Sequence, residues 1–482
     1  MTDTKTADNQ TLPDQGADAS RVTATHFMVG AGFLILGGEL LLLQLLSLYF
    51  DELFPISYGR LEAMANICLF IGFAAISLIG GAYYVLPRLT GARLWSADLA
   101  WVGLFGMSAM TFVGVIAVGF GLGEGRAPFG TPWWFHIPMV FLLVLPLLIA
   151  LGTIRNRTED HSYVTLWFLL GGLTWLPLLY LAYFSGDMPY FSSVASEYIS
   201  VFFSAGFLTM FVITVGTGLF YYTVVKELDI PLASRQLAVV GFWSLGFAGV
   251  WWGTAQVLFG PGPDWVSGVG AALGLAFPIG ALANAANVSL TLDGSWDRTR
   301  DRPDLRAGVL GLYLAVGVAL LAALAGFRTV ASVTSLTGFW EAIEYTTIAG
   351  VGALLIASSA FSSLPRLLGR QLIKSRARMS NRLTLIGSVG VLVFLAASGA
   401  LSGYSWVGGS NSAAYIDAGE GWAAGLDGVG DTLLLIAVIF GVITFVGQLT
   451  YGAAVIGTAA TGKAVEQEVL VSKPANEAEE DE

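Results

Sequence analysis

The sequence predicts an all-α integral membrane protein, a bundle of twelve helices, and three observations carry that expectation. Twelve apolar runs recur, at roughly 25–50, 65–86, 98–122, 135–153, 163–184, 198–224, 237–259, 267–291, 308–327, 339–363, 383–404 and 431–458. Each is near the length of about 20 residues that crosses a bilayer core as a helix, the form in which a chain satisfies its own backbone in lipid. Hydrophobic residues make up 55% of the chain and charged residues only 12%, which excludes a soluble domain. The cations also fall on one side. Loops after even-numbered runs hold Arg88, Arg93, Arg155, Arg157, Lys226, Arg235, Arg298, Arg300, Arg302, Arg306, Arg366, Arg370, Lys374, Arg376, Arg378 and Arg382, whereas the alternate loops hold Arg60, Arg126 and Arg328. The positive-inside rule then places both termini in the cytoplasm and makes the protein a multi-pass component of the plasma membrane.

In chain order, residues 1–21 are polar and acidic, an expected disordered tail before a membrane domain over 22–460. The first helix should end near Phe50, before an outward loop with Asp51, Glu52 and Pro55. The second opens at Gly59-Arg60-Leu61 and closes at Tyr83-Tyr84-Val85-Leu86-Pro87-Arg88, with the single cysteine, Cys68, as a free core thiol. A Gly/Pro-rich loop from Gly121 to Pro132 joins the third and fourth, and Trp133-Trp134 behind it fit an interfacial belt. The sixth and seventh flank a short polar turn within Phe202–Trp265. The eighth ends at Asn287-Val288-Ser289-Leu290-Thr291-Leu292. Residues 365–382 read as a basic, headgroup-facing loop, and 405–430 as an acidic Gly/Ser-rich outward loop. The last stretch, 461–482, is a second disordered acidic tail, and the net charge of −11 is concentrated in the tails and the outward loops. No nucleic-acid partner is expected of such a chain, and membrane lipids are.

The punctuation of the central stretch is similar to that of a known family. Tyr221-Tyr222, Lys226, Pro231, Ser234, Phe242-Trp243, Trp251, Gly253 and Pro263-Asp264-Trp265 keep one register without gaps. Asn287, Thr291, Leu292, Gly294, Trp296, Arg300, Pro303, Leu305 and Arg306 continue it. The chain resembles subunit I of the heme-copper oxidases, on the cbb3-type and nitric oxide reductase side. That resemblance implies the subunit I fold and positions for six histidine ligands of two hemes and one copper. In this sequence those positions hold Ala65 in the second helix, Ala205 in the sixth, Ala255 and Gln256 in the seventh, and Ile343 and Tyr345 in the tenth. The redox tyrosine of the cbb3-type enzymes falls at Gly249, and the glutamate of the ninth helix at Leu321.

The chain has three histidines where such a centre needs six. His26, His136 and His161 are spread over both faces and read as interfacial side chains. Met64 beside Ala65, and Tyr345 itself, have the chemistry to ligate heme iron. Glu62, Glu341 and Glu344 lie at one depth near the outward face, as proton-handling groups or as interfacial carboxylates paired with Arg60 or Arg328. The expected function is therefore a subunit I-like component of a respiratory complex without its own heme-copper centre, structural or regulatory. Other subunits, and a small electron-carrier protein, are the expected partners. Two alternatives stay open: a working oxidase or nitric oxide reductase with unorthodox ligands, in which heme is bound, and a binding or transport protein for a quinone-like molecule. The small residues at the vacated positions predict repacking or a cavity, with Trp251, Trp252 and Phe259 leaning inward. Tyr345 should fill part of the space and meet Gln256 or Asn66, while Glu344 turns to a neighbouring helix or the headgroup zone.

Overall fold

A computed structural model describes residues 17–50, 55–186, 191, 193–410 and 422–464. Twelve helices in it are long and apolar enough to cross a membrane. They are α1 (Ala17–Tyr49), α2 (Tyr58–Thr90), α3 (Ala97–Gly119), α4 (Trp133–Arg155), α5 (Val164–Ser185) and α6 (Ser193–Leu228). They continue with α7 (Arg235–Val257), α8 (Asp264–Thr291), α9 (Pro303–Ala325), α10 (Gly338–Leu368), α11 (Lys374–Ser410) and α12 (Trp422–Thr461). Every apolar run falls on a helix, and most helices overrun their run by a turn or more, because the polar ends of a span still close their hydrogen bonds as helix. Two expected loops shrink for that reason. The basic stretch 365–382 is loop only over 369–373, since Lys374 already opens α11. Residues 405–410 are helical and Trp422 opens α12; the loop between, 411–421, lies outside the described residues, as do 51–54 and most of both tails. Residues 17–21, assigned to the tail from the sequence, are the first turn of α1.

Local chemistry sets the ends. Ser96 and Ser234 cap α3 and α7 by accepting from the amides of Leu99 and Leu237, both at 3.2 Å. Gly91 and Gly369 end α2 and α10 in the left-handed conformation that glycine adopts without strain. α2, α6 and α10 are buried along nearly their whole length, whereas α4 and α12 turn most of their surface outward. The outer surface carries large apolar side chains such as Phe105, Phe141 and Phe247, as a lipid-facing wall requires.

The recurrent residues of the central stretch are joined by one hydrogen-bonded clamp. Asn287 of α8 accepts from the Ser234 amide at 2.9 Å and donates to the Ser234 carbonyl at 2.8 Å. Thr291 accepts from the Ala233 amide at 3.0 Å, and the Tyr221 hydroxyl donates to Asn284 at 2.7 Å. The α6–α7 turn is thus fastened to α8 through its backbone. Replacing Asn287 by alanine leaves a backbone N–H and a C=O without partners, and a loss on the order of 2–4 kcal/mol is expected. Thermal unfolding of the purified variant in detergent checks this; an unchanged midpoint would mean that the clamp carries no stability.

Candidate functional site

The vacated positions lie on the four helices α2, α6, α7 and α10, and in each the backbone leaves α-helical geometry beside them. π-helical turns run over Ile67–Ala75 after Ala65, Phe207–Ile213 after Ala205, and Thr346–Gly352 after Ile343 and Tyr345. In α7 a π segment, Ser244–Ala248, leads into a 3-10 segment, Gly249–Val257, that contains Gly249, Ala255 and Gln256. Among the described residues no other helix has a π turn. Such turns concentrate at functional sites because they displace side chains from the regular α-helical spiral. Hydropathy carries no trace of them.

Ala65, Ala205, Gly249, Ala255, Ile343 and Tyr345 are all buried. The α6–α7 side is closed. A β-carbon on Gly253 would run into the Val201 carbonyl oxygen and lie 2.7 Å from the β-carbon of Ala205, so α6 and α7 are in close contact beside Ala205. Trp252 is fully buried and stacks between Phe277 and Trp340, with ring centroids 6.2 and 5.9 Å away. It leans inward as expected. Trp251 is half-buried against Phe202, and Phe259 faces outward with the Arg328 guanidinium over its ring. Phe259 turns away because it lies beyond the end of α7, in the turn that follows Val257.

The α2–α10 side keeps space. An inner cavity of about 30 Å³ is lined by Glu62, Glu341, Glu344, Tyr345, Gln44 and Asn66, with Phe70 and Leu395 among its apolar walls. That volume suits a water or two. Of the two directions expected for Glu344 it takes the neighbouring helix and not the headgroup zone: it faces this cavity and accepts from Gln256 Nε2 of α7 at 3.0 Å. Gln256 is therefore taken, and the Tyr345 hydroxyl lies beside Thr444 of α12. Asn66 instead donates to the Pro128 carbonyl at 3.2 Å. Glu341 lies beside the Tyr58 hydroxyl, which accepts from Gln44 at 2.8 Å. Neither Arg60 nor Arg328 forms an ion pair with the three carboxylates among the described residues. Arg60 reaches toward Gly121 instead. A second, larger cavity of about 470 Å³ lies at the outer rim between Arg60, Glu62, Gly123, Glu124 and Arg126, and Glu62 lines both. Sequence reasoning found the three carboxylates but not Tyr58 or Gln44, whose share in the site depends on how α1 leans on α2.

The other candidate donors are dispersed. Met64 turns its thioether toward Gly119 of α3 and does not line the inner cavity. His26 and His136, expected at the interface, are buried instead. His136 Nδ1 is 2.9 Å from the Tyr180 hydroxyl, and its ring is enclosed by Tyr183, Phe184 and Phe135. His26 lies on the α1 face toward α2, where Gly80 lets the helices approach. His161 is exposed, its ring against Tyr163. No histidine stands on α2, α6, α7 or α10, so the residues at the vacated positions do not fit the nitrogen ligation of hemes and copper. Among the described residues no group of three His, Cys, Asp or Glu side chains is placed to hold a metal ion.

Comparison with known proteins gives a consistent picture. Residues 21–443 match the family described as cytochrome c and quinol oxidase polypeptide I. A cytochrome c oxidase subunit 1 homolog of Agrobacterium tumefaciens (strain T37) is 23% identical over 384 residues, covering 78% of this chain and 71% of the relative. Cytochrome c oxidase subunit 1 of Rhodobacter capsulatus is 24% identical over 408 residues, 81% and 76% of the two chains. The cbb3-type cytochrome c oxidase subunit CcoN1 of Stutzerimonas stutzeri is 22% identical over 368 residues, 73% and 76%. A solved heme-copper terminal oxidase dimer superposes with a TM-score of 0.75 at 14% identity, over 95% of this chain and 86% of that one.

Proposed function

The chain belongs to the cytochrome c and quinol oxidase polypeptide I family, and from that premise we propose that it is a subunit I-like component of a respiratory complex that carries no heme-copper centre of its own. It is a multi-pass membrane protein with the twelve-helix fold of that family. The observation that carries the reading is the chemistry at the six ligand positions, where Ala65, Ala205, Ala255, Gln256, Ile343 and Tyr345 stand on helices that bear no histidine. The π turns beside the same positions support the reading that a functional site stood there. The work left to such a chain is structural or regulatory: to hold a heme-bearing partner subunit in the membrane and shape its surroundings.

Heme and copper quantification on the purified full-length protein tests this. The expected result is far less than one heme and one copper per chain, with heme found instead in a co-purifying subunit. Stoichiometric heme in the isolated chain would overturn the reading and return the protein to the working oxidases.

A further inference from the structure

Glu62, Glu341 and Glu344 turn into the bundle, but a fourth carboxylate of the spans does not. Glu39 of α1 stands exposed on the outer wall, and among the described residues it makes no hydrogen bond or ion pair. Its depth makes that costly. From Arg21 to Tyr49, α1 rises about 42 Å at 1.5 Å per residue, close to a whole bilayer with its headgroups. Glu39 lies about 15 Å below Tyr49, hence about 6 Å from the midplane and well inside a hydrocarbon core about 30 Å thick. Its side chain is also aimed the wrong way to escape. Side chains of an α-helix tilt toward the N-terminus, which for Glu39 is the longer way out, toward Arg21. Protonation would remove the charge and still leave a carboxylic acid among lipid tails. An ionisable group at such a depth calls for a partner.

The wall around Glu39 has the form of a seat for a helix. Gly32, Leu36, Glu39, Leu43 and Leu46 follow one another at alternating spacings of four and three, so they make one stripe along α1, and all five are exposed or half-buried. That spacing is the one at which a helix receives the side chains of another. A β-carbon on Gly32 would meet nothing within 4 Å, so a foreign backbone has room to come close there. On one side stands Phe112 of α3, itself exposed, with its ring 4.9 Å from that of Phe33. On the other side stands α12, where Gly452 meets Ile35 of α1 and Leu449, one turn away, is exposed. Every other residue of the stripe is apolar, so the group that answers Glu39 has to come from another chain.

We propose that this face of α1 seats one transmembrane helix of a partner subunit, and that this helix carries a lysine or arginine at the depth of Glu39. Charge complementarity selects that occupant. Lipid tails have no donor to offer. A second copy of this chain, docked by the same face about a two-fold axis, would bring Glu39 toward Glu39, like charge against like. A cation on the partner helix instead neutralises two groups that each chain alone would leave stranded in lipid. The pair also sets the depth and rotation of the partner helix, which apolar packing leaves loose because lipid is as apolar as leucine. The proposal rests on the reading of the chain as one that holds a partner subunit, and it is independent of whether the chain binds heme. Metal quantification and the test below therefore fail separately.

The test uses the full-length chain, made in its own cells with a photo-crosslinking amino acid at Leu36 and purified as the complex in mild detergent. The same label at Phe141, on the lipid-facing side of α4, is the control. Leu36 is expected to crosslink to one subunit, at a transmembrane span that peptide mass spectrometry shows to contain a lysine or arginine, and Phe141 is not. Glu39→Leu is expected to lower the amount of that subunit in the complex at least five-fold. The unfolding midpoint of the isolated chain should not change, since Glu39 faces outward. Exchanging the charges, Glu39→Lys with glutamate at the partner's cation, should restore the subunit. A Leu36 crosslink only to lipid, to a second copy, or to a span without lysine or arginine overturns the proposal. Wild-type subunit content in Glu39→Leu overturns it as well.

Discussion

Replacing Gly253 by valine is expected to abolish the folded protein, with no monodisperse species recovered from detergent extracts. Ordinary overpacking of a core costs about 1–3 kcal/mol because neighbouring side chains shift aside. Here the first atom added would meet the Val201 carbonyl and the Ala205 β-carbon, neither of which can rotate away. Relief would require α6 and α7 to separate, which would break the stack of Trp252 with Phe277 and Trp340. Gly253→Ala should give a reduced yield and a lower unfolding midpoint, marking the graded approach to the same limit. A valine variant with wild-type yield and midpoint would show that α6 and α7 have room to part at this contact.

A second large effect is expected at Glu227, near the end of α6. Its carboxylate pairs with Arg302, just ahead of α9, and with Arg366 of α10, while Arg302 also meets Asp304 at 2.7 Å. The Glu227 side chain is 7% exposed and the two arginines about a third. Glu227→Ala would leave two guanidinium groups side by side with their shared counter-charge removed. Breaking a fully buried pair costs about 3–5 kcal/mol. Partial exposure of the arginines lets water screen them, and a loss of about 2–3 kcal/mol is the expectation. Thermal unfolding checks it, and a loss below the resolution of that measurement would mean the cluster is solvated. Burial works against the Arg302 charge, but Asp304 and then Glu227 outweigh it and hold the group above its ordinary value. The stability it adds is therefore complete below the ordinary arginine range and is lost only as pH rises beyond it. No alkaline weakening of this cluster is expected at working pH.

Much of this protein was legible in its residues because the physical rules involved are local. A run of apolar side chains must be helix in lipid, so all twelve spans could be read one at a time. The punctuation of the central stretch was legible for a related reason: Ser234, Asn287 and Thr291 are turn and cap chemistry, and they fasten the α6–α7 turn to α8. What the residues could not decide was every contact between helices distant in the chain. Gln256 was expected for Tyr345 and went to Glu344, because the lean of α10 on α7 sets that pairing. His26 and His136 looked interfacial by position, yet α2 and α5 close over them. The π turns on α2, α6, α7 and α10 exist only once the helices are packed. Hydropathy and charge fix where each helix lies along the membrane normal. Rotation about its own axis is fixed by neighbours, and side-chain chemistry depends on that rotation.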